Sequence, residues 1–263
     1  VRGRRAAISA AAAALALSTL FGPPIAPAGA ERTQRGNVIL AMKGGFSPLS
    51  LPRRESAPVS VHLETTLSTA DRSLPPTVTG IELGMPPQAT ITTAGLPACP
   101  PARLRNVTSS QALEACRPAL IGRGRLLSRV KLPHQAPIQV RAGVLAFNGR
   151  LGRTRAVILH AGSRNPASAG VLVFRISRAS GRFGTRLLAR PRAALGPWIH
   201  LTHLTLDLSR IYRHRGRKLS YLSARCPIPK RSTAGFFSFA RAKFSLAGGR
   251  EISLGISRSC RAR

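Results

Sequence analysis

His200, His203 and Asp207 come closest to a catalytic or metal-binding constellation in this sequence. Histidine and aspartate can share a proton or ligate a metal, but only where their side chains meet. The alternation around them predicts one β-strand. At ~3.3 Å of rise per residue, the Cα atoms of His203 and Asp207 then lie about 13 Å apart. They share a face without touching, so an exposed polar face is the expected role. The other histidines, His62, His134, His160 and His214, are scattered and read as structural or solvated. A glycosidase needs two carboxylates ~5 Å or ~6.5–9.5 Å apart across the scissile bond. The chain has eight acidic residues, and their spacing selects no such pair. No G-x-S-x-G elbow, H-E-x-x-H helix, P-loop or dinucleotide fingerprint occurs. Gly122-Arg123-Gly124 is too short for a phosphate loop and falls within an expected strand. These residues assign no catalytic group, metal site or cofactor.

Charge is the stronger signal. Lys and Arg total 41 against 8 Asp and Glu, a formal net of +33. Nearly all the bases are arginine; the lysines are Lys43, Lys131, Lys218, Lys230 and Lys243. A GC-rich genome explains arginine over lysine but not the shortage of acids. Residues 31–100 hold six bases and five acids, whereas residues 101–263 hold 32 bases and three acids, a net of +29. An electrostatic partner is therefore expected to meet the C-terminal two thirds. Within 120–132, Arg123, Arg125, Arg129 and Lys131 fall on one parity and Leu126, Val130 and Leu132 on the other. This is the candidate anion-binding face; a solvated face that keeps the sheet soluble is the other reading. Aromatic residues are only 5%, few for stacking on bases, so an anionic cell-envelope polymer fits better than nucleic acid.

The positioning elements read as β. Apolar content of 43% suffices for a core. Short strands are expected at 38–42, 59–64, 77–83, 89–93, 143–147, 153–161, 171–177, 183–190, 198–208, 219–224, 236–246 and 252–257. Arg215-Gly216 and Gly248-Gly249 supply hairpin turns. One short helix is expected at 111–116, capped by Ser109 or Ser110 and stopped by Pro118. Alternation on so many strands calls for two sheets sharing a core, hence an all-β fold. The expected architecture is a β-sandwich, jelly-roll-like in one variant, either as a single unit or as abutting parts at about 31–95 and 96–263.

Residues 1–30 carry the marks of a secretory signal peptide. Arg2, Arg4 and Arg5 precede an uncharged run over 6–21, and Ala28-Gly29-Ala30 offers a cleavage site. The run is short of the ~20 apolar residues that span a bilayer. Arg4-Arg5 leaves the twin-arginine route open beside the general one. Four cysteines, Cys99, Cys116, Cys226 and Cys260, then read as two disulfides in an exported chain. Of three pairings, Cys99–Cys116 with Cys226–Cys260 is expected, because each closes a short loop. No C-x₂-C pair suggests zinc.

Several stretches together resemble a family of uncharacterised secreted proteins of high-GC Gram-positive bacteria. They are Ser47-Pro48 with Leu51-Pro52-Arg53 and Pro58-Val59; Gly95-Leu96-Pro97-Ala98-Cys99; Ala115-Cys116 with Ala119-Leu120-Ile121-Gly122-Arg123-Gly124; Leu145-Ala146-Phe147-Asn148-Gly149; Tyr221-Leu222-Ser223-Ala224-Arg225-Cys226-Pro227; and Arg258-Ser259-Cys260. The likeness covers nearly all of the chain after residue 30. It implies export and disulfides and, since that family has no known activity, no function. The expected protein is an extracellular or cell-envelope protein without enzymatic activity that associates with anionic polymer; a secreted hydrolase of a glycan or ester is the alternative. Mass spectrometry of protein recovered from medium or envelope should find Glu31 at the N-terminus. A cytoplasmic chain still carrying Val1 would refute export.

Overall fold

A computed structural model of the chain describes residues 31–191 and 196–263. The expected signal peptide, with its cleavage point after Ala30, lies outside the described residues.

Over the described residues the fold is all-β with one short α-helix, Ser109–Cys116. The first strands are β1 (Glu31–Arg35), β2 (Val38–Ser47), β3 (Ser50–Leu51), β4 (Ala57–Pro58), β5 (Ser60–Thr69), β6 (Val78–Met85) and β7 (Ala89–Ile91). Helix α1 (Ser109–Cys116) precedes β8 (Leu120–Val130), β9 (Ile138–Leu151), β10 (Thr154–Arg164), β11 (Ala167–Arg178) and β12 (Thr185–Ala189). The chain ends with β13 (Ile199–Leu208), β14 (Ile211–His214), β15 (Arg217–Ser220), β16 (Leu222–Ala224), β17 (Ala234–Leu246) and β18 (Glu251–Ala262). Thirteen of these form one sheet in the order β1-β2-β5-β13-β8-β9-β10-β11-β12-β6-β17-β18-β3. Strands from before and after residue 95 interleave in it: β13 pairs with β5, and β6 with β12 and β17.

The two layers of the expected sandwich are opposite sides of this single sheet. A wide twisted sheet with one apolar face can bury that face by curling on itself. Leu63 and Leu67 of β5, Ile81 and Leu83 of β6, Leu159 of β10, Phe174 of β11 and Leu204 and Leu206 of β13 all enter one core. Glycine permits the tightest approach. A Cβ on Gly122 would lie 2.2 Å from the Asp207 carbonyl oxygen, and one on Gly124 2.0 Å from that of Thr205. These inward positions of β8 thus let its backbone close on β13.

The curl brings β18 back beside β1 and β2. There the seam is closed by arginines rather than by a backbone ladder. Arg258 donates from Nε to the Gly44 carbonyl and from Nη1 to Glu31 Oε1 at 2.6 Å. Arg35 donates to the Glu251 carbonyl at 2.8 Å.

Two smaller pieces complete the fold. A three-stranded sheet, β4-β16-β7, lies over one end of the curl, and the bond Cys226–Cys260 ties the chain just after it to β18. The single expected strand over 219–224 is broken at Tyr221, where the chain leaves the β14–β15 hairpin for this cap. On the outside of β9 and β10, α1 covers a second apolar cluster containing Leu104, Leu145, Phe147 and Ile158, held by Cys99–Cys116. The helix cap is Thr108, not Ser109 or Ser110. Its hydroxyl accepts from the Gln111 amide, and Gln111 Oε1 accepts from the Thr108 amide at 2.9 Å, so two helix-end donors are satisfied together. Both hairpin tips adopt the positive φ their residues permit: Arg215 and Gly216 at 49° and 74°, Gly248 and Gly249 at 79° and 73°.

The seam makes stability pH-dependent. Partial burial would raise the Glu31 carboxyl, but its hydrogen bond from Arg258, with backbone bonds and the Arg258 charge, outweighs this and holds it below the ordinary value. A depressed carboxylate stabilises the fold above the unfolded value of ~4.3, and that contribution disappears as pH falls through the folded value. Glu31→Gln should therefore lower thermal stability at neutral pH by about 1 kcal/mol, with the gap to the unsubstituted protein closing as pH falls through the depressed folded value. Melting curves across that range test it; an undiminished gap at low pH refutes it.

Candidate functional site

Strand parity sorts the structure into an outer face rich in arginine and an inner face of hydrocarbon. Arg123, Arg125, Arg129 and Lys131 are all exposed. Arg123, Arg125 and Arg129 share the outward parity of β8, with Leu127 between them. Across the ladder Arg123 stands opposite Asp207, Arg125 opposite Thr205 and Arg129 opposite His200. On the β9 side Leu127 meets Arg141, which extends the basic row to a second strand.

His200, His203 and Asp207 do not converge. His200 Nδ1 donates to the Pro75 carbonyl at 2.7 Å. His203 Nε2 is 3.1 Å from Glu64 Oε1, and His62 Nδ1 is 2.7 Å from Asp207 Oδ1. A bulge at Thr202, which has no partner on β8, sets the register of His203 and Leu204. Asp207, opposite Arg123 of the β8 row, is therefore occupied by a histidine, as is Glu64 one strand further on. Among the described residues no group of three or more His, Cys, Asp and Glu could hold a metal ion. Among the described residues His160 is the one fully buried histidine; its Nε2 donates to the Val107 carbonyl at 3.0 Å beneath α1.

A second cationic group lies across the sheet from β8, and the sequence did not reveal it. Arg186 of β12 and Arg241 of β17 flank Gly84 of β6 in one row. With Arg178, Lys243, Glu82 and Phe183 they line a cleft of ≈360 Å³. Gly84 is required there: a Cβ would lie 2.9 Å from Phe183 Cγ, so glycine lets the ring lie over the strand. Lys243 is engaged by Glu251 at 2.8 Å, and that contact holds the Glu251 carboxyl below its ordinary range. Among the described residues, Arg178, Arg186 and Arg241 form no salt bridge. Their guanidinium groups have the planar fork that fits phosphate or carboxylate. Arg178 and Arg186 sit on the two arms of the β11–β12 hairpin, but Arg241 and Gly84 reach them from strands far along the chain, so no local pattern marks the group.

The inner face holds a different feature. An interior cavity of ≈130 Å³ reaches the cap through Ile91, Leu222 and Ala224. A second of ≈80 Å³ extends the other way to Leu67, Val78 and Val144. The two share Leu63, Leu83, Leu159, Phe174 and Leu204 as wall. Their accessible walls are almost wholly hydrocarbon. At ~24 cal/mol per Å³, leaving the ≈130 Å³ space empty costs about 3 kcal/mol. At its cap end, the Tyr221 hydroxyl and Gln88 Oε1 are buried without hydrogen-bond partners. Burial, only partly offset by the Arg155 charge, pushes the Tyr221 phenol well above its ordinary value.

Comparison of the chain with known protein families, with curated proteins and with solved structures finds no match. Among the described residues no helix is long and apolar enough to cross a membrane.

Clustered like charges leave an energetic signature. Two strand spacings place the Arg186 and Arg241 backbones about 10 Å apart, where unscreened repulsion in water is about 0.4 kcal/mol. Arg241→Gln should therefore raise stability slightly in low salt, and the gain should vanish at molar salt as screening removes the repulsion. Denaturant melts at the two ionic strengths decide this. A loss of stability in low salt would mean that Arg241 is held by contacts other than these.

Proposed function

We propose that this is an exported protein without enzymatic activity that associates with an anionic polymer of the cell envelope or extracellular space. The observation that carries the reading is the cleft lined by Arg178, Arg186 and Arg241, three guanidinium groups with Glu82 and an already engaged Lys243 beside them. The row Arg123, Arg125, Arg129 and Lys131 is a second, outward-facing contact surface. The +29 excess of residues 101–263 supplies the attraction at longer range.

The mechanism is charge pairing with counterion release. Each guanidinium that meets a phosphate or carboxylate displaces a condensed cation from the polymer, so binding weakens steeply as salt rises. Recognition follows charge density and spacing rather than the identity of each repeating unit. Two disulfides suit an oxidising compartment, where such polymers are found.

Retention on purified cell-wall fractions and on polyphosphate, followed across a salt series, is the test. Strong retention at about 50 mM salt should fall by orders of magnitude by about 200 mM. The triple substitution of Arg178, Arg186 and Arg241 by Gln should flatten the salt dependence by on the order of one unit of log–log slope per contact removed. Replacing Arg123, Arg125, Arg129 and Lys131 by Gln should act on the second surface without unfolding the protein. Absence of retention at low salt would overturn the proposal. Sugar or ester release in the same tubes would favour a hydrolase instead.

A further inference from the structure

We infer that the interior of the curled sheet is a binding site for a single unbranched alkyl chain. This site is independent of the outer arginines, because strand parity puts the two on opposite faces. Four observations carry it. First, the cavities of ≈130 and ≈80 Å³ share five wall residues and extend to opposite ends of the strands, so the space is elongated along the axis of the curl. Second, its wall offers hydrocarbon with almost no accessible polar atom, and an apolar space of this size stays dry and accepts apolar guests. Third, the inward leucines Leu63, Leu83, Leu126, Leu172 and Leu204 are only partly buried although they face the centre of the protein. In a close-packed interior such side chains would have no accessible surface left. Fourth, one end is covered by a separate small sheet whose following segment is covalently tied to β18, so the space is roofed by structure rather than left as a gap between loops.

The shape sets the chemistry. A straight chain can run through both lobes past the shared wall of Leu63, Leu83, Leu159, Phe174 and Leu204, whereas a globular molecule of equal volume would be confined to one lobe. The partnerless Tyr221 hydroxyl and Gln88 Oε1 at the cap end expose no surface to the space, so the wall there recognises hydrocarbon alone. No arginine or lysine lines either lobe, and His203 of the second lobe already faces Glu64, so burying a charged headgroup would go uncompensated. The occupant is the chain itself, whether from a free alcohol or from a larger lipid whose head stays outside.

Methyl-labelled protein titrated with 1-octanol and, in parallel, with 1-adamantanol tests the site by NMR. The expected result is saturable shifts confined to the methyls of Leu63, Leu83, Leu159 and Leu204, with 1-octanol binding at least tenfold tighter than 1-adamantanol. Leu204→Phe, and separately Leu83→Phe, should fill the space and weaken 1-octanol at least tenfold while the spectrum stays dispersed. The titration of the unsubstituted protein decides the matter even where a variant fails to fold. Shifts that never saturate, equal affinity for the two alcohols, or shifts confined to exposed side chains such as Phe236 would overturn the inference.

Discussion

A sheet of thirteen strands with a continuous apolar face must remove that face from water, and in this chain it does so by closing on itself. The ladder itself cannot complete the closure, because β18 approaches β1 and β2 without pairing with either. Arg258 bridges the gap by reaching the Gly44 carbonyl and the Glu31 carboxylate at once. Gly44 suits the position: a Cβ there would lie 2.9 Å from the His62 carbonyl oxygen and 3.3 Å from Ile256 Cδ1. The cap sheet, the core and the interior cavity all presuppose this closure. The two disulfides act at separate places. One ties the cap to β18 and the other holds α1 over β9 and β10.

Closure also separates two kinds of chemistry by strand parity. Adjacent residues of one strand face opposite environments, so Arg241 stands in an exposed cleft while Ala242 is fully buried. The same holds on β8, where Arg125 is exposed and Leu126 faces the interior. A one-residue slip of register would carry charge inward and hydrocarbon outward. The bulge at Thr202, the close-packed Gly122 and Gly124 and the positive-φ hairpins are the local devices that fix the register.

Much of the local structure was legible along the chain. Period-2 alternation located most strands, Gly248-Gly249 and Arg215-Gly216 located their turns, and the Cys99–Cys116 and Cys226–Cys260 pairs followed from loop length. The helix cap is Thr108 rather than the expected Ser109 or Ser110, because all three carry equivalent hydroxyls and only the reciprocal bond with Gln111 distinguishes them. The partners of His203 and Asp207 were beyond reach for another reason. Glu64 and His62 come from β5, more than a hundred residues earlier, and only the β5–β13 register aligns them.

The sequence by itself determined what depends on neighbours along the chain: strand parity, turn positions, the short helix, and an excess of positive charge with too few acids to balance it. Those properties follow from backbone sterics and the two-residue period of a strand, which act over a few residues. Tertiary structure alone decided what depends on how strands from distant segments lie side by side. It turned two expected layers into one curled sheet, brought Arg178, Arg186 and Arg241 around Gly84, and left two adjoining apolar cavities inside. A cleft or a cavity is the distance between surfaces, and that distance is set by the curvature and register of the whole sheet rather than by any one strand.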